Sequence, residues 1–207
     1  MIIKNKNYIY LKNIQGYDIY ALSLIHNVFN LIVIINELDN NINNNLYNNY
    51  FNENILMLIS NYELFKYLID KSDINYSDSY GNNVITFKCC ENNIDIRIIE
   101  LLIKKGANIY QKNYEGTNAF INSCRFVNKD LIKLFLLIGY DYEHDLKQLH
   151  DENFIYFDDI KGFQNYTYNE VCKIVNDINI NVKNNKSSDI CSLIISLDDN
   201  YFNLINC

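Results

Sequence analysis

The sequence of 207 residues contains no proline, and its only arginines are Arg97 and Arg125. Lys and Arg together number 18 against 25 Asp and Glu, which gives a net charge of −7. A surface that follows nucleic-acid phosphates needs a basic patch, and arginine is its usual component. Nucleic acid is therefore not an expected partner.

Long apolar runs and regularly spaced cysteines are also absent. The longest aliphatic stretches, such as 31–35 and 55–59, are far shorter than the roughly 20 residues that cross a bilayer, so no membrane span is expected. The six cysteines show no regular spacing, and the N-terminus lacks the apolar core of a signal peptide. We expect reduced thiols in a cytoplasmic protein.

The sequence offers no group of residues that suggests catalysis. His26, His144 and His150 have no neighbour at metal-ligand spacing, and neither a glycine-rich phosphate loop nor a Gly-x-Ser-x-Gly motif occurs. Positioned nucleophiles and bases are needed for most enzymatic chemistry. We therefore expect a protein that is not an enzyme and that holds no metal or cofactor.

The composition is biased in another direction, because Asn and Ile together make up about a third of the chain. This bias follows A/T-rich codons. Asn-rich stretches such as 40–54 are interpreted in the same way, without a special low-complexity role.

Glycines divide the middle of the chain into two similar segments, each with two predicted helices. Gly81 is followed by predicted helices over 84–91 and 98–105 and then by Gly106. The same order recurs from Gly116 to Gly139, with predicted helices over 119–126 and 130–138. A repeat of this length is typical of stacked helix-pair architectures.

The residues at the helix ends agree with this interpretation. Gly106 and Gly139 fall just past an apolar helix, where a left-handed residue is commonly needed. Asn83 and Asn118 follow the turn glycines by two residues and are predicted to cap the next helix, as Asp18 is after Gly16.

The segment from Asp78-x-x-Gly81 to Ile98-Ile99-Glu100-Leu101-Leu102-Ile103-Lys104-Lys105-Gly106-Ala107-Asn108-Ile109 resembles the ankyrin-repeat pattern. The following unit, with 131–136 and 139–142, resembles it too. Residues 63–69 and 73–75 fit an earlier unit, and Gly16 with 31–35 and 41–43 fits a first one. The resemblance implies about four repeats over 14–146, preceded by an N-terminal segment over 1–13.

The implied fold is all-α, an ankyrin-repeat solenoid of antiparallel helix pairs with β-turn tips. The family's T-P-L-H turn is nowhere intact, which calls the usual hydrogen-bond network of the tips into question. Residues 147–207 are expected to form a helical C-terminal cap or a degenerate repeat. Thr167 and Glu170 form a capping box ahead of an apolar helical stripe through Val171, Ile174, Val175 and Ile178, and 188–197 is a second candidate helix.

In ankyrin repeats, partner contacts come largely from the turn tips and the exposed ends of the first helices. The tip positions here are rich in tyrosine, which offers a large contact area at low entropic cost. The first-helix ends would extend this surface with Ile25, His26, Cys90 and Glu91. The predicted partner-binding residues are Tyr17, Tyr47, Tyr50, Tyr80, Asn82, Tyr114, Glu115, Arg125 and Phe126.

The resemblance implies a non-catalytic module that binds another protein, and the base bias suggests a viral modulator of host proteins. The alternative is an adaptor whose C-terminal helices recruit a ubiquitin ligase. Residues 189–197 have the size of one helix of such a module, but the Leu-Pro pair that usually announces it is absent.

Overall fold

The computed structural model describes residues 22, 23, 26, 52–151 and 168–184. The described residues contain α-helices and short 3₁₀ turns but no strand, which confirms the predicted all-α class. Within 52–151 and 168–184 the α-helices are α1 (Tyr62–Leu68), α2 (Val84–Lys88), α3 (Ile96–Lys104), α4 (Ala119–Arg125), α5 (Lys129–Leu137), α6 (Glu143–Asp151) and α7 (Tyr168–Asn184). Two 3₁₀ turns cover Ile55–Leu58 and Ile69–Lys71.

Five of these helices begin at an Asn or Asp side chain. The side-chain oxygen of the cap accepts a hydrogen bond from a backbone N–H of the first turn, which would otherwise lack a partner. The caps of α1 to α5 are Asn61, Asn83, Asp95, Asn118 and Asn128. The predicted caps Asn83 and Asn118 are thus confirmed, whereas Asp18 lies outside the described residues.

Left-handed residues follow the helices α3, α4 and α5. Gly106 and Gly139 follow α3 and α5 with φ of +83° and +79°, as predicted. After α4 the same conformation is adopted by Val127, with φ of +48°. The amides of Val127 and Asn128 donate to the carbonyls of Cys124 and Ser123, which is the hydrogen-bond pattern of a Schellman cap. A β-branched residue rarely adopts this conformation.

The helices form two layers. In the first layer, α2 packs between the turn Ile55–Leu58 and α4, and α4 packs against α6. In the second layer, α1 packs against α3, and α5 packs against α7. Pairs that follow each other in the chain also touch, as α4 and α5 do. Helix pairs therefore stack side by side, each contacting its neighbours.

The core lies between the two layers and runs through the described residues as one apolar cluster. In α3 the buried positions are Ile98, Ile99, Leu102 and Ile103, a spacing that places them on one side of the helix. Phe65, Phe120 and Phe135 are among the largest fully buried side chains of this core.

The pair α6 and α7 continues the stack at its C-terminal end. Val171, Val175 and Val182 of α7 are buried, and Nδ2 of Asn179 donates a 2.7 Å hydrogen bond to the hydroxyl of Tyr142. The predicted helix over 171–178 is confirmed, although Thr167 of its capping box and the candidate helix 188–197 lie outside the described residues. The predicted boundary between 146 and 147 falls within α6.

Candidate partner-binding surface

The turn before α2 is organised by Asp78. Its backbone carbonyl accepts from the amide of Gly81 at 3.0 Å, and its Oδ1 accepts from the amides of Tyr80 and Asn82 at 2.9 and 2.8 Å. Gly81 completes the turn with φ of +82°, a conformation that glycine adopts without a steric penalty. The side chain of Asp78 therefore fixes the backbone that presents Tyr80.

Asn113 organises the next turn, before α4, in the same way. Its carbonyl accepts from the amide of Gly116 at 2.9 Å, and its Oδ1 accepts from the amides of Glu115 and Thr117 at 3.0 and 2.9 Å. An Asn thus does at this position what an Asp does in the preceding unit, because each supplies an acceptor oxygen at the same distance from the backbone.

The two tips are joined directly. The amide of Tyr114 donates to the carbonyl of Tyr80 at 2.9 Å, and Nδ2 of Asn113 donates to Oδ1 of Asn82 at 2.8 Å. Nδ2 of Asn82 in turn donates to Oδ2 of Asp78 at 3.0 Å. Asn82, a predicted binding residue, is half-buried and uses both ends of its side-chain amide within this network.

Further amides tie the bases of the tips together. Nε2 of Gln111 donates to Oγ of Ser77 at 2.6 Å, and Nδ2 of Asn83 donates to the carbonyl of Asn108 at 2.9 Å. The loss of T-P-L-H had called a tip network into question. The structure corrects this expectation, because Asn and Gln side chains can donate and accept at once and connect the tips in another way.

Tyr114 lies over the neighbouring turn. A Cβ atom placed on Gly81 would lie 3.0 Å from Cδ1 and Cε1 of the Tyr114 ring, so the ring is packed against the glycine backbone. Tyr114 nevertheless exposes 83% of its surface, and Tyr80 exposes 54%. Both predicted tyrosines are therefore accessible and stand on a backbone held by hydrogen bonds.

Charge at this surface comes from both signs. Glu115 is exposed, and its Oε2 lies 3.7 Å from Nη1 of Arg125, at the end of α4. Phe126 follows Arg125 and is only half-buried. The structure thus brings Tyr80, Tyr114, Glu115 and Arg125 into one region.

Cys90 lies close to these charges. Desolvation raises the pKa of its thiol to about 11; Arg125 opposes this shift, while the carboxylates of Glu115, Glu91 and Asp78 add to it. Nδ2 of Asn122 donates to the sulfur at 3.0 Å. Cys90 is exposed, as its predicted place at the end of a first helix requires, whereas Cys89 and Cys124 are buried.

A cleft of about 800 Å³ lies between the loops that connect α2 to α3 and α4 to α5. Apolar side chains from both loops, including Ile94, Phe126 and Val127, line it together with the amides of Asn92, Asn93 and Asn128. The left-handed Val127 forms part of its wall. Phe126 therefore borders this cleft as well as the end of α4.

One accessible aromatic residue was not among the predicted binding residues, because it does not occupy a tip position. Tyr110 exposes 56% of its surface, and its ring stacks on that of Tyr140 at 4.8 Å between centroids. Tyr140 is stacked in turn on the buried Phe120 at 4.9 Å. The aromatic residue following Ile109 could have drawn attention to this position, but the stack depends on Tyr140, which is distant in sequence.

Several predicted residues cannot be placed. Tyr17, Tyr47, Tyr50 and Ile25 lie outside the described residues, as does the segment 189–197 on which the adaptor alternative depends. His26 is exposed. The part of the chain that the structure describes contains no group of His, Cys, Asp and Glu that could hold a metal ion. None of its helices is long and apolar enough to cross a membrane.

The stacked helix pairs and their linked turns define a helical repeat protein. A family model described as ankyrin repeats, in three copies, matches residues 56–149, so this part of the chain is an ankyrin-repeat array. The chain is also 33% identical over 96 residues to "Ankyrin repeat protein OPG189" of Monkeypox virus. That match covers 44% of this chain but only 16% of the relative.

Proposed function

We propose that this protein binds another protein through the tips of its ankyrin repeats and the adjoining ends of their first helices. The observation that carries the proposal is the presentation of Tyr80 and Tyr114, which are exposed at 54% and 83% although their backbones are joined by a hydrogen bond of 2.9 Å. An exposed aromatic on a fixed backbone loses little entropy when a partner binds.

The geometry of the tips supports this function further. Asp78 and Asn113 each bind two amides of their own turn, so the positions of the two tyrosines are set before a partner arrives. Tyrosine is enriched among the residues that contribute most of the binding energy in protein interfaces. Ankyrin repeats as a family are in general interaction modules and not enzymes, which supports the same assignment.

We further propose that this chain is a viral protein and that its partner is a protein of the infected host. The similarity to a Monkeypox virus ankyrin-repeat protein supports this choice, together with the A/T-rich composition. The adaptor alternative stays a prediction, because its segment lies outside the described residues.

Affinity capture with the full-length chain, followed by a binding titration with the purified partner, tests the main proposal. Tyr80→Ala and Tyr114→Ala together are expected to weaken binding by at least about 2 kcal/mol, or about thirtyfold. Tyr67→Ala is the matched control, because Tyr67 is also exposed, at 39%, but belongs to α1 of the second layer. A loss below about 1 kcal/mol in the double variant would contradict the proposed surface.

A further inference from the structure

Resting on the proposed function, we infer that the tip formed by Tyr114 and Glu115 binds an arginine or lysine side chain from an exposed basic segment of the partner protein. Two accessible groups carry the inference. Tyr114 is 83% exposed with its ring supported by Gly81, and the side chain of the adjacent Glu115 is 68% exposed. An aromatic face beside a carboxylate attracts a cation through the ring quadrupole and through charge.

The same chemistry holds an arginine elsewhere in this molecule. The guanidinium carbon of Arg97 lies 4.5 Å from the centroid of the Tyr62 ring, while its Nε and Nη2 donate to the carboxylate of Asp95 at 3.0 and 2.5 Å. Tyr62 belongs to α1, and Asp95 caps α3. A tyrosine from one unit and a carboxylate from the next therefore contact one guanidinium in this structure, although Arg97 is also held close to Asp95 by the chain.

At the tip, the chain's own cation next to Glu115 is Arg125, and the ion pair between the two is long. Arg125 lies 3.7 Å from Glu115, longer than the charge-assisted hydrogen bonds of about 2.8 Å that a committed pair forms. The side chain of Arg125 is largely buried, at 19% exposed, whereas the side chain of Glu115 is exposed to solvent. The outer side of the Glu115 carboxylate is thus accessible to a second cation.

The charge around the tip favours a basic ligand. Asp78, Glu91 and Glu115 lie near Cys90 together with Arg125, and Lys88 is paired with Glu91 at 2.6 Å. Glu115 contributes an exposed carboxylate to the tip, within a chain whose net charge is −7. Charge complementarity of this kind mainly sets specificity and association rate.

Selection of short random peptides displayed on phage, with the immobilised full-length chain as bait, tests the inference. Selected peptides are expected to be enriched in Arg and Lys, and a synthetic copy with these residues replaced by Gln should bind at least about fivefold more weakly. The binding should also weaken as salt increases, because an exposed ion pair is screened.

Two variants are expected to change the affinity for the basic peptide in opposite directions. Glu115→Gln should weaken binding about threefold, and Arg125→Gln should strengthen it about twofold, because the first removes the attracting charge and the second removes a competing one. Tyr114→Phe keeps the aromatic face and should bind like the wild type, whereas Tyr114→Ala should not. Thermal unfolding checks that each variant is folded. If Arg125→Gln does not fold, the result for Glu115→Gln alone tests the cation site.

The outcomes separate this inference from the proposed function. If the selected peptides lose binding in Tyr114→Ala but show no basic enrichment and no response to Glu115→Gln, the cation site is wrong and the tips still bind protein. If they bind the Tyr80→Ala, Tyr114→Ala variant as well as the wild type, the cation site is wrong, and the titration of this variant with the purified partner decides the proposed function separately. A selection that yields no peptide overturns the cation site.

Discussion

The hydroxyl of Tyr140 donates a 2.6 Å hydrogen bond to Oδ2 of Asp145, which joins the segment after α5 to the first turn of α6. Nδ2 of Asn118 donates to both of these oxygens, at 3.0 and 2.8 Å, and Nζ of Lys112 lies 3.4 Å from Oδ1 of Asp145. Tyr140, Asp145 and Asn118 are buried, whereas Lys112 reaches Asp145 from the surface. They connect the cap of α4 to the last helix pair.

Tyr140→Phe should lower the free energy of unfolding by about 2 kcal/mol, because it removes a donor from a buried carboxylate. Burial, followed by the hydrogen bond to Asp145 and its charge, raises the pKa of Tyr140. A pKa that is higher in the folded state gives stability that is present below the unfolded pKa of about 10 and is lost as the pH rises above it.

Urea unfolding at pH 7 and near pH 10.5 measures both effects. The wild type should lose more stability between these two conditions than Tyr140→Phe does. The control is Tyr110→Phe, which removes the hydroxyl of an exposed tyrosine and keeps its stacked ring. Equal alkaline losses in the wild type and in Tyr140→Phe would show that this hydroxyl does not set the pH dependence.

Gly81→Ala and Gly106→Ala form a matched pair, because both glycines have a φ near +80° but differ in their surroundings. A Cβ on Gly81 would lie 3.0 Å from the Tyr114 ring and 3.1 Å from its amide nitrogen, whereas a Cβ on Gly106 has no atom within 4 Å. Gly106→Ala should cost about 1 to 2 kcal/mol, from the left-handed conformation alone. Gly81→Ala should cost about 1 to 3 kcal/mol more, from the crowding.

Equilibrium unfolding of both variants gives the difference directly. Adding Tyr114→Ala to Gly81→Ala should restore part of the loss, since it removes the crowded ring but not the crowded amide. Equal destabilisation by the two glycine substitutions would mean that the Tyr114 ring moves away without an energetic penalty.

Lys88 is fully buried, and its Nζ donates to the carbonyl of Met57 at 3.0 Å and to Oε1 of Glu91 at 2.6 Å. Glu91→Gln should destabilise the protein by about 2 to 3 kcal/mol, because it leaves a buried ammonium without its nearest counter-charge. The side chain of Glu91 is 26% exposed, which keeps the effect near the lower end. Lys88→Met removes the buried charge itself and should change stability by less than about 1 kcal/mol.

The pH dependence distinguishes the two substitutions further. Burial lowers the pKa of Lys88, while Glu91 and Glu53 oppose this shift. Between the lowered folded pKa and the unfolded value of 10.5, the unfolded chain binds more protons, so stability rises with pH. Glu91→Gln lowers the folded pKa further, and its destabilisation relative to wild type should shrink as the pH approaches 10. A constant difference across this range would exclude a charge effect.

The sequence predicted the helix pairs because their signals are local. The glycines after α3 and α5 and the asparagines before α2 and α4 each act within a few residues, and the structure has them in the expected conformations. The tyrosines of the tips could be found in the same way, since a turn position is defined by its distance from Gly81 or Gly116. The assignment of these residues to partner binding stays a proposal.

The contacts between units could not be predicted in this way. Asn113 meets Asn82 across 31 positions and Lys88 meets Met57 across the same distance in sequence, and no local pattern encodes such pairs. Helix α6 was not predicted from the sequence, for a related reason. Its attachment depends on Asp145 and Tyr140, which the repeat pattern does not require, and on its packing against α4 and α7.

The support of the Tyr114 ring by Gly81 makes the display of this side chain a property of two adjacent repeats. The affinity of a ligand that binds Tyr114 therefore also depends on the spacing between these repeats. Such a ligand favours the curvature at which the ring and the glycine remain in contact. By linkage, binding of such a ligand stabilises the interface between the two repeats. It opposes bending there and raises the free energy needed to separate one repeat from the next.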